Sequence, residues 1–349
     1  MSGPKLRYTI FFILFAAGVS AAAQVHAQAD SFYQGKNLRI VVGFSPGGIV
    51  DLWARFIGRH MARHMPGNPK FVVQNMPGGG SMVTANYVYN LAKPDGLTVG
   101  MFSAGLFFEQ LLGREAAKFK WEDFTWIGSP VRNFEIFYIR SAAGIKSIDD
   151  IRTAAKPLSC GATGPGTTSD YFPKLVEQAT GVKFHMVAGY PGVRDIDVAL
   201  ERGEIDCAAA TNELFNREPG RTWLESGFLR VLVQGAAARH PKFSDAPTIY
   251  ELLEKNKKPE EIKKVAELLR SVGEFGRPLA GSPGIPADRA RILRQAYAKT
   301  LTDPSAVAEA KKIGWDLEPT AGEALQELAK KVIAQPPEVV DGLRKILGK

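Results

Sequence analysis

The segment RIVVGFSPGGIVDLWARFIGRHM, residues 39–61, constrains the fold of this 349-residue chain more than any other stretch. An apolar run at residues 40–42 leads into a glycine-rich loop, and a helical pattern starts near Asp51. A strand, a tight glycine loop and an amphipathic helix in this order are typical of a βαβ unit. The segment therefore predicts an α/β fold with the loop at the carboxyl end of a strand.

The same alternation continues along the chain. Strands are predicted at residues 38–44, 71–74 and 98–102, and in a second set at 134–139, 158–161, 184–187, 205–209 and 229–233. Helices are predicted at 51–65, 82–91, 169–180 and 195–202, followed by charged amphipathic helices at 250–272, 286–302, 306–313 and from residue 322. This order predicts two lobes, each a mainly parallel sheet flanked by helices, with a ligand cleft between them. We expect lobe 1 to be discontinuous, with residues 30–130 and 250–349, and lobe 2 to comprise residues 131–249.

The first 29 residues have the pattern of a cleaved signal peptide. Lys5 and Arg7 precede an apolar stretch at residues 10–19, which is too short to span a bilayer, and small residues follow up to Ala29. We expect residues 1–29 to be removed on export. The formal charge then falls from +8 to +6, because two of the 44 basic residues and none of the 36 acidic ones are lost. No basic block is interleaved with aromatics, so we expect no nucleic-acid partner.

The sequence has two cysteines, Cys160 and Cys207, and no C-x-x-C motif. This spacing excludes a thioredoxin-like or zinc-ribbon site. An oxidising compartment would allow the two to pair, and a strand order of 2-1-3 in the second lobe would place them on neighbouring strands. We nevertheless favour two separately buried thiols, because free cysteine is among the most buried residue types.

Ser45 lies in a G-x-S-x-G sequence, which is the pattern of a hydrolase nucleophile elbow. In that elbow the residue after the serine donates its backbone N–H to the oxyanion, but here that residue is Pro46, which has no N–H. The loop therefore favours binding over nucleophilic catalysis. The helix that follows presents unpaired N–H groups to a carboxylate or phosphate, and Asp51 either caps this helix or accepts a hydrogen bond from the ligand.

Three further loops join a strand to a helix in the same way, at residues 75–81, 161–169 and 189–192. Four such junctions, two in each predicted lobe, indicate two sets of backbone donors facing one cleft. Thr167 stands where a P-loop needs lysine, and no G-x-G-x-x-G follows the first strand. His60 and His64 lack a third ligand and the glutamate of H-E-x-x-H. We therefore expect no cofactor and no metal.

At these residues the chain resembles the periplasmic solute-binding proteins of the tripartite tricarboxylate transporters, also called Bug proteins. The resemblance extends over nearly the whole chain after the signal segment. It is carried by RIVVGFSPGGIVDLWAR, NMPGGGSMVTANYV, KPDGLTVGMFS, GTTSDYFPKLVEQATGVKFHMVAGYPGVRDIDVALERGEIDCA, FSDAPTIYELL and RPLAGSPGIPADRARILRQAYAKTLTDP.

The resemblance implies a two-lobed, type II periplasmic-binding-protein-like fold that closes on a small organic acid. In this family the loops after the first strands of each lobe grip one carboxylate through amides, hydroxyls and water. Carried over position by position, the implied ligand-binding residues are Phe44, Ser45, Gly47, Gly48, Asp51, Asn75, Gly78, Gly79, Ser103, Ala104, Thr167, Thr168, Ser169, Tyr190, Gly192, Asp195 and Asn212.

The chain also departs from the family pattern. Ile49 and Val50 replace a Ser-Thr pair, Asp170 replaces a histidine, and Pro191 replaces a lysine. Fewer hydroxyl and cationic partners remain, and Phe44 adds apolar surface beside them. We therefore expect a carboxylate with an apolar or aromatic body in preference to citrate.

Together these observations predict a monomeric periplasmic receptor that passes a small organic acid to the membrane subunits of a transporter and catalyses no reaction. Two alternatives stay open. One is an exported serine hydrolase that uses Ser45. The other is a protein of the same fold that reports its ligand to a membrane signalling protein.

Overall fold

A computed structural model of the chain describes residues 32–154 and 156–348. The predicted signal segment, residues 1–29, lies outside the described residues. The strands are β1 (Asn37–Val42), β2 (Lys70–Asn75), β3 (Thr98–Met101), β4 (Thr125–Ser129), β5 (Glu135–Arg140), β6 (Leu158–Ala162), β7 (Phe184–Ala188), β8 (Cys207–Thr211), β9 (Leu229–Gln234), β10 (Leu279–Gly281) and β11 (Thr320–Ala321).

The helices lie between and after these strands. They are α1 (Ile49–Met61), α2 (Met82–Asn90), α3 (Phe107–Leu111), α4 (Thr168–Thr180), α5 (Val193–Arg202), α6 (Gly220–Glu225), α7 (Ile249–Lys255), α8 (Glu260–Phe275), α9 (Ala287–Thr302), α10 (Pro304–Lys312), α11 (Gly322–Ile333) and α12 (Pro337–Leu347). None of the helices in the described residues is long and apolar enough to cross a membrane.

The strands form two separate sheets, in the orders β11-β4-β10-β3-β1-β2 and β7-β6-β8-β5-β9. The predicted α/β fold with two sheets is confirmed, but the prediction of mainly parallel sheets is wrong, since both sheets are mixed. β1 pairs in parallel with β2 and β3, whereas β10 and β11 are antiparallel to their neighbours. β6 is parallel to β7 and β8, whereas β5 runs antiparallel between β8 and β9. The loops after β1, β3 and β6 therefore follow the carboxyl ends of parallel strands, as a crevice site in an α/β sheet requires.

The chain passes from the first sheet to the second between β4 and β5, and returns between β9 and β10. Helices of the C-terminal part contact both halves, since α7 and α12 pack on α4 of the second sheet and α11 packs on β4 of the first. The exact division into residues 30–130 with 250–349 and residues 131–249 stays a prediction.

The helix predicted over residues 250–272 is broken in two. α7 ends at Lys255, Lys257 has a positive φ of 48°, and α8 begins after Pro259. Proline has no N–H and disfavours helical geometry in the residue before it, so one continuous helix is excluded here. For the same reason the predicted final helix from Gly322 divides at Pro336.

Cys160 and Cys207 form a disulfide bond, so the prediction of two separate thiols is wrong. The two residues face each other in register on β6 and β8. The strand order β7-β6-β8 is the 2-1-3 order that brings these strands together. Both cysteines are fully buried, and the bond ties the middle of the second sheet.

The two halves of the molecule meet through the loops at the ends of their strands. The hydroxyl of Ser45 donates to Asp195 Oδ2 at 2.8 Å, and the backbone N–H of Ser45 donates to the carbonyl of Pro191 at 3.3 Å. The hydroxyl of Ser103 donates to the carbonyl of Gly166 at 2.6 Å. These bonds join loops of the first sheet to loops of the second, so the structure is a closed form.

Backbone contact between the halves is close because glycines lie on both sides. A Cβ atom on Gly105 would lie 2.4 Å from the carbonyl oxygen of Gly166, and one on Gly80 would lie 2.4 Å from the carbonyl oxygen of Pro165. Real Cβ atoms do not approach oxygen this closely, so any larger residue would hold the loops apart.

Replacing both cysteines by alanine is expected to lower the free energy of unfolding by about 4 kcal/mol, because the bond links residues 47 positions apart. Urea unfolding of the oxidised protein and of the C160A/C207A variant measures the difference. Reductant should bring the wild-type curve toward that of the variant and leave the variant unchanged. Two alkylatable thiols in the unreduced, denatured protein would contradict the bond.

Gly105→Ala is expected to shift the molecule toward an open form, because the added methyl group meets the Gly166 carbonyl only when the halves are closed. Small-angle X-ray scattering should give a larger radius of gyration, with an unchanged circular dichroism spectrum. Gly48→Ala is the matched control, since its nearest contact would be an ordinary 3.6 Å. A Gly105→Ala variant as compact as this control would contradict the steric role of Gly105.

Candidate functional site

A cavity of about 60 Å³ lies where the loops of the two sheets meet. Its lining comes from both sheets and from the segment that returns to the first sheet. The apolar lining residues include Phe44, Ile49, Val50, Met101, Phe102, Ala104, Val193, Ala209, Ala210, Leu214, Val272 and Pro278. The polar ones are Ser103, Asn133, Thr163, Thr167, Thr168, Ser169, Thr211, Arg217 and Arg277.

Three helices begin at this cavity. Residues of the first turns of α1, α4 and α5 line it: Ile49, Thr168 and Val193 respectively. Within the described part of the chain, none of the three N-cap residues makes a side-chain capping hydrogen bond. The first N–H groups of a helix lack partners in the helix, and its dipole makes this end positive. The cavity is therefore suited to an anion.

Local sequence explains why these helices start where they do. α1 follows Gly48 and places Trp53, Phe56 and Ile57 on one buried face against the first sheet. α5 likewise follows a glycine, Gly192, and buries Ile196 and Leu200 at helical spacing. The glycines let the backbone turn directly from loop to helix.

A cluster of hydroxyls lies at the start of α4. Ser169 Oγ accepts from the N–H of Thr163 at 3.1 Å and lies 3.2 Å from Thr163 Oγ1 and 3.1 Å from Thr167 Oγ1. Thr167 Oγ1 donates to the carbonyl of Gly164 at 2.6 Å. These bonds fix the hydroxyls beside the helix terminus. Thr167 uses its proton on Gly164, so only the hydroxyl protons of Thr163 and Ser169 are left to turn toward an anion.

A buried carboxyl stands behind this cluster. The hydroxyl of Tyr171 lies 3.5 Å from Thr168 Oγ1 and donates a hydrogen bond to Glu135 Oε1 at 2.6 Å. Burial raises the pKa of the Glu135 carboxyl to about 7, although the Tyr171 bond opposes the shift. The raised pKa reduces the negative charge that this residue would direct at an anion in the cavity.

Two arginines that sequence reasoning missed, Arg277 and Arg217, also line the cavity. Arg277 Nη2 donates to Thr211 Oγ1 at 2.7 Å and forms an ion pair with Glu213 Oε2 at 2.8 Å. Arg217 Nη2 lies 3.6 Å from the fully buried Asp197. The only signal for Arg277 in the sequence was its place next to an apolar strand in a glycine- and proline-rich stretch.

Seven of the predicted ligand-binding residues line the cavity. They are Phe44, Gly48, Ser103, Ala104, Thr167, Thr168 and Ser169. Ten do not line it: Ser45, Gly47, Asp51, Asn75, Gly78, Gly79, Tyr190, Gly192, Asp195 and Asn212. The direct contact of any of these residues with a ligand stays a prediction.

Asp51 is used inside its own loop. Its carboxylate accepts from Gly47 N–H at 2.9 Å, from Asn75 Nδ2 at 2.9 Å and from the Arg55 guanidinium at 2.9 and 3.0 Å. Although burial opposes it, these bonds hold the pKa of the Asp51 carboxyl below its usual value. Asp51 is 1% exposed, so Asp51 and Asn75 shape the loop around α1.

Ser45, Asp195 and Gly192 belong to the contact between the halves. A Cβ on Gly192 would lie 2.3 Å from Ser45 Oγ, so this glycine allows the bond from Ser45 to Asp195. Asn212 is tied to β5 instead, since its N–H donates to Phe134 O and its Oδ1 accepts from Phe134 N–H.

The geometry gives no support to a serine nucleophile. The hydroxyl of Ser45 donates to Asp195, and among the described residues no histidine or lysine lies within hydrogen-bond distance of it to act as a base. His60 Nε2 and His64 Nε2 contact Glu309 and Asp303 at 2.7 and 3.0 Å. The two histidines that could form a helical metal pair are therefore engaged with acids of the C-terminal half.

Comparison with known proteins places this geometry in a family. The chain matches the model for the tripartite tricarboxylate transporter family receptor over residues 54–336. A curated relative, the UPF0065 protein in the TAR-I ttuE-ttuC' intergenic region of Agrobacterium vitis, is 27% identical over 232 residues. That match spans 64% of this chain and 64% of the relative's length.

Solved structures share the fold. The periplasmic binding protein BugD superposes with a TM-score of 0.72 at 20% identity, covering 90% of this chain and 98% of that one. MatC from Rhodopseudomonas palustris, solved with bound malate, gives a TM-score of 0.69 at 20% identity and covers 88% of this chain and 99% of its own. The family model covers most of the sequence and the fold agrees with it, so the chain belongs to the receptors of the tripartite tricarboxylate transporter family.

Proposed function

We propose that this protein is a periplasmic receptor that encloses a small organic carboxylate in the cavity between its two halves. In this proposal the closed form delivers the ligand to membrane subunits of a tripartite transporter, the protein acts as a monomer, and it catalyses no reaction. One observation carries the proposal: three uncapped helix N-termini meet at one cavity in a member of a receptor family.

The energetics favour an anion over a neutral solute of the same size. Backbone N–H groups at the starts of α1, α4 and α5 and the hydroxyls of Thr163 and Ser169 form charge-assisted hydrogen bonds with a carboxylate. Such bonds are stronger in a cavity that excludes water, because the effective dielectric constant is lower. The donors belong to fixed helix ends, so little ordering is needed on binding.

The walls favour a ligand with an apolar body. Ile49 and Val50 are 6% and 8% exposed, and Phe44 and Phe102 are buried beside them. A highly charged ligand such as citrate would place carboxylates against these side chains without partners, which is costly. Malate in MatC supports carboxylate binding by this fold, and the apolar wall supports a less polar ligand here.

The first test is thermal unfolding of the ligand-free secreted protein against about a hundred organic acids, with neutral amides and sugars as controls. A true ligand at 100 times its Kd should add about 2.7 kcal/mol of stability and raise Tm by several degrees. We expect shifts from a restricted set of carboxylates that have apolar bodies. Shifts from neutral compounds alone, or a tighter fit to citrate than to any such acid, would overturn the proposal.

The role of the α1 terminus is tested by Ile49→Asp and its neutral isostere Ile49→Asn. Both remove the same apolar surface, but only the aspartate adds a charge at the cavity wall. An aspartate carboxylate ~8 Å from the ligand carboxylate would repel it by about 2 kcal/mol at an effective dielectric constant of about 20. Calorimetry should therefore show at least tenfold weaker carboxylate binding for the aspartate variant than for the asparagine variant.

Stability serves as the internal control for this pair. Ile49 is 6% exposed, so the aspartate loses hydration there although the helix dipole favours its charge. Thermal unfolding of both ligand-free variants must show that each is folded before their affinities are compared. Equal affinity of the two variants for the carboxylate would show that the ligand does not bind at this helix terminus.

A further inference from the structure

Both arginines at the cavity already have a buried acidic partner. Arg277 pairs with Glu213 at 2.8 Å, and Arg217 lies 3.6 Å from Asp197. The side chains of Glu213 and Asp197 are 9% and 0% exposed, so solvent does little to screen either pair. The polar part of the cavity therefore offers hydrogen-bond donors but little net positive charge.

Glu213 is held firmly in this position. Its Oε1 accepts from Trp53 Nε1 at 2.7 Å, and its Oε2 accepts from Asn133 Nδ2 at 3.0 Å and from Thr211 Oγ1 at 3.1 Å, in addition to the Arg277 contact. Four donors from separate parts of the chain hold this carboxylate in one orientation. Glu213 in turn fixes the guanidinium of Arg277 against the cavity wall.

Arg277 lines the cavity and has a donor that no described residue uses. Among the described residues its Nε is buried and has no hydrogen-bond partner, although Nη2 is engaged with Thr211 and Glu213. Thr211 ends β8, which is the direct neighbour of β6, and the hydroxyl cluster follows β6. Neighbouring strands are ~5 Å apart, so a short ligand bound at the start of α4 reaches this part of the cavity.

We propose that Glu213 is a specificity residue that selects a monocarboxylate bearing a neutral oxygen acceptor, such as an oxo or amide group, over a dicarboxylate. This inference rests on the proposed function. The carboxylate binds at the helix N-termini, and the neutral oxygen accepts from Arg277. A second carboxylate at Arg277 would face the Glu213 carboxylate, because the one arginine would then be shared by two anions.

The state of the other arginine agrees with this charge pattern. Burial raises the pKa of Asp197 to about 6, with Arg217 opposing the shift, so Asp197 is still largely ionised at neutral pH and balances Arg217. Neither guanidinium is then available as an unpaired counter-charge for a second ligand carboxylate.

The test uses matched ligands that differ in charge and hardly in shape: succinate against succinamate, glutarate against its monoamide, and adipate against its monoamide. Titration calorimetry on the full secreted protein at pH 8 gives the ratio of dissociation constants in each pair. We expect the wild type to bind the monoamide at least tenfold more tightly than the dicarboxylate in the pair of best-fitting length.

Glu213→Gln removes the charge, keeps the side-chain shape and leaves Arg277 with an unbalanced positive charge. In this variant the dissociation constant of the dicarboxylate, divided by that of its monoamide, should be at least tenfold lower than in the wild type. Glu109→Gln is the matched control, because Glu109 is a buried acid (6% exposed) that does not line this cavity, and its ratio should stay at the wild-type value. The wild-type ratio tests the inference even where Glu213→Gln fails to fold.

The outcomes separate the two proposals. Binding of no carboxylate by the wild type would overturn the proposed function itself. Tight binding of a dicarboxylate with a ratio that Glu213→Gln leaves unchanged would overturn the role of Glu213 while the receptor function stands.

Discussion

Three helix N-termini directed at one cavity are the constraint on which the rest of the structure depends. Each helix follows a strand or loop of an α/β sheet, and the chain reverses direction through a short loop before the helix starts. The donors are backbone N–H groups, so the capacity to bind an anion is a property of the fold and requires no particular side chain. Side chains near the helix ends can then serve other purposes, and here they shape the first loop and join the two halves.

The polar residues of the first loop hold the loop in its shape and join the two halves in the closed form. Asp51 gathers Gly47, Arg55 and Asn75 around the start of α1, and Ser45 reaches across to Asp195 in the other half. A hydroxyl that bonds to the opposite loop stabilises the closed form directly, whereas in the proposed function the backbone amides hold the ligand. This separation of roles explains how the cavity wall can be apolar at Ile49 and Val50 and still belong to an anion site.

The parts of the fold and site that sequence reasoning predicted are those set by local signals. The strand, glycine loop and helix at residues 37–61, and the corresponding unit around α4, were placed within a few residues because apolar runs and glycines mark them. The prediction of two separate thiols is wrong because the disulfide depends on the register between two strands whose cysteines lie 47 residues apart. Arg277 and Glu213 were missed for the same reason, since their contact joins residues 64 positions apart without any local motif.

Glu213 shows why a receptor would keep a buried ion pair. Desolvating two charges offsets most of their attraction, so such a pair contributes little to stability compared with apolar side chains of the same volume. In the role proposed for Glu213 the effect on binding is larger, because charges fixed beside a closed cavity determine how much additional charge can enter. The donors that hold Glu213 come from α1, from the crossing after β4 and from the end of β8, so both halves must be closed for this charge arrangement to form. If Glu213 has the specificity role proposed here, selectivity belongs to the closed form, and a ligand of the wrong charge is rejected because it fails to stabilise closure.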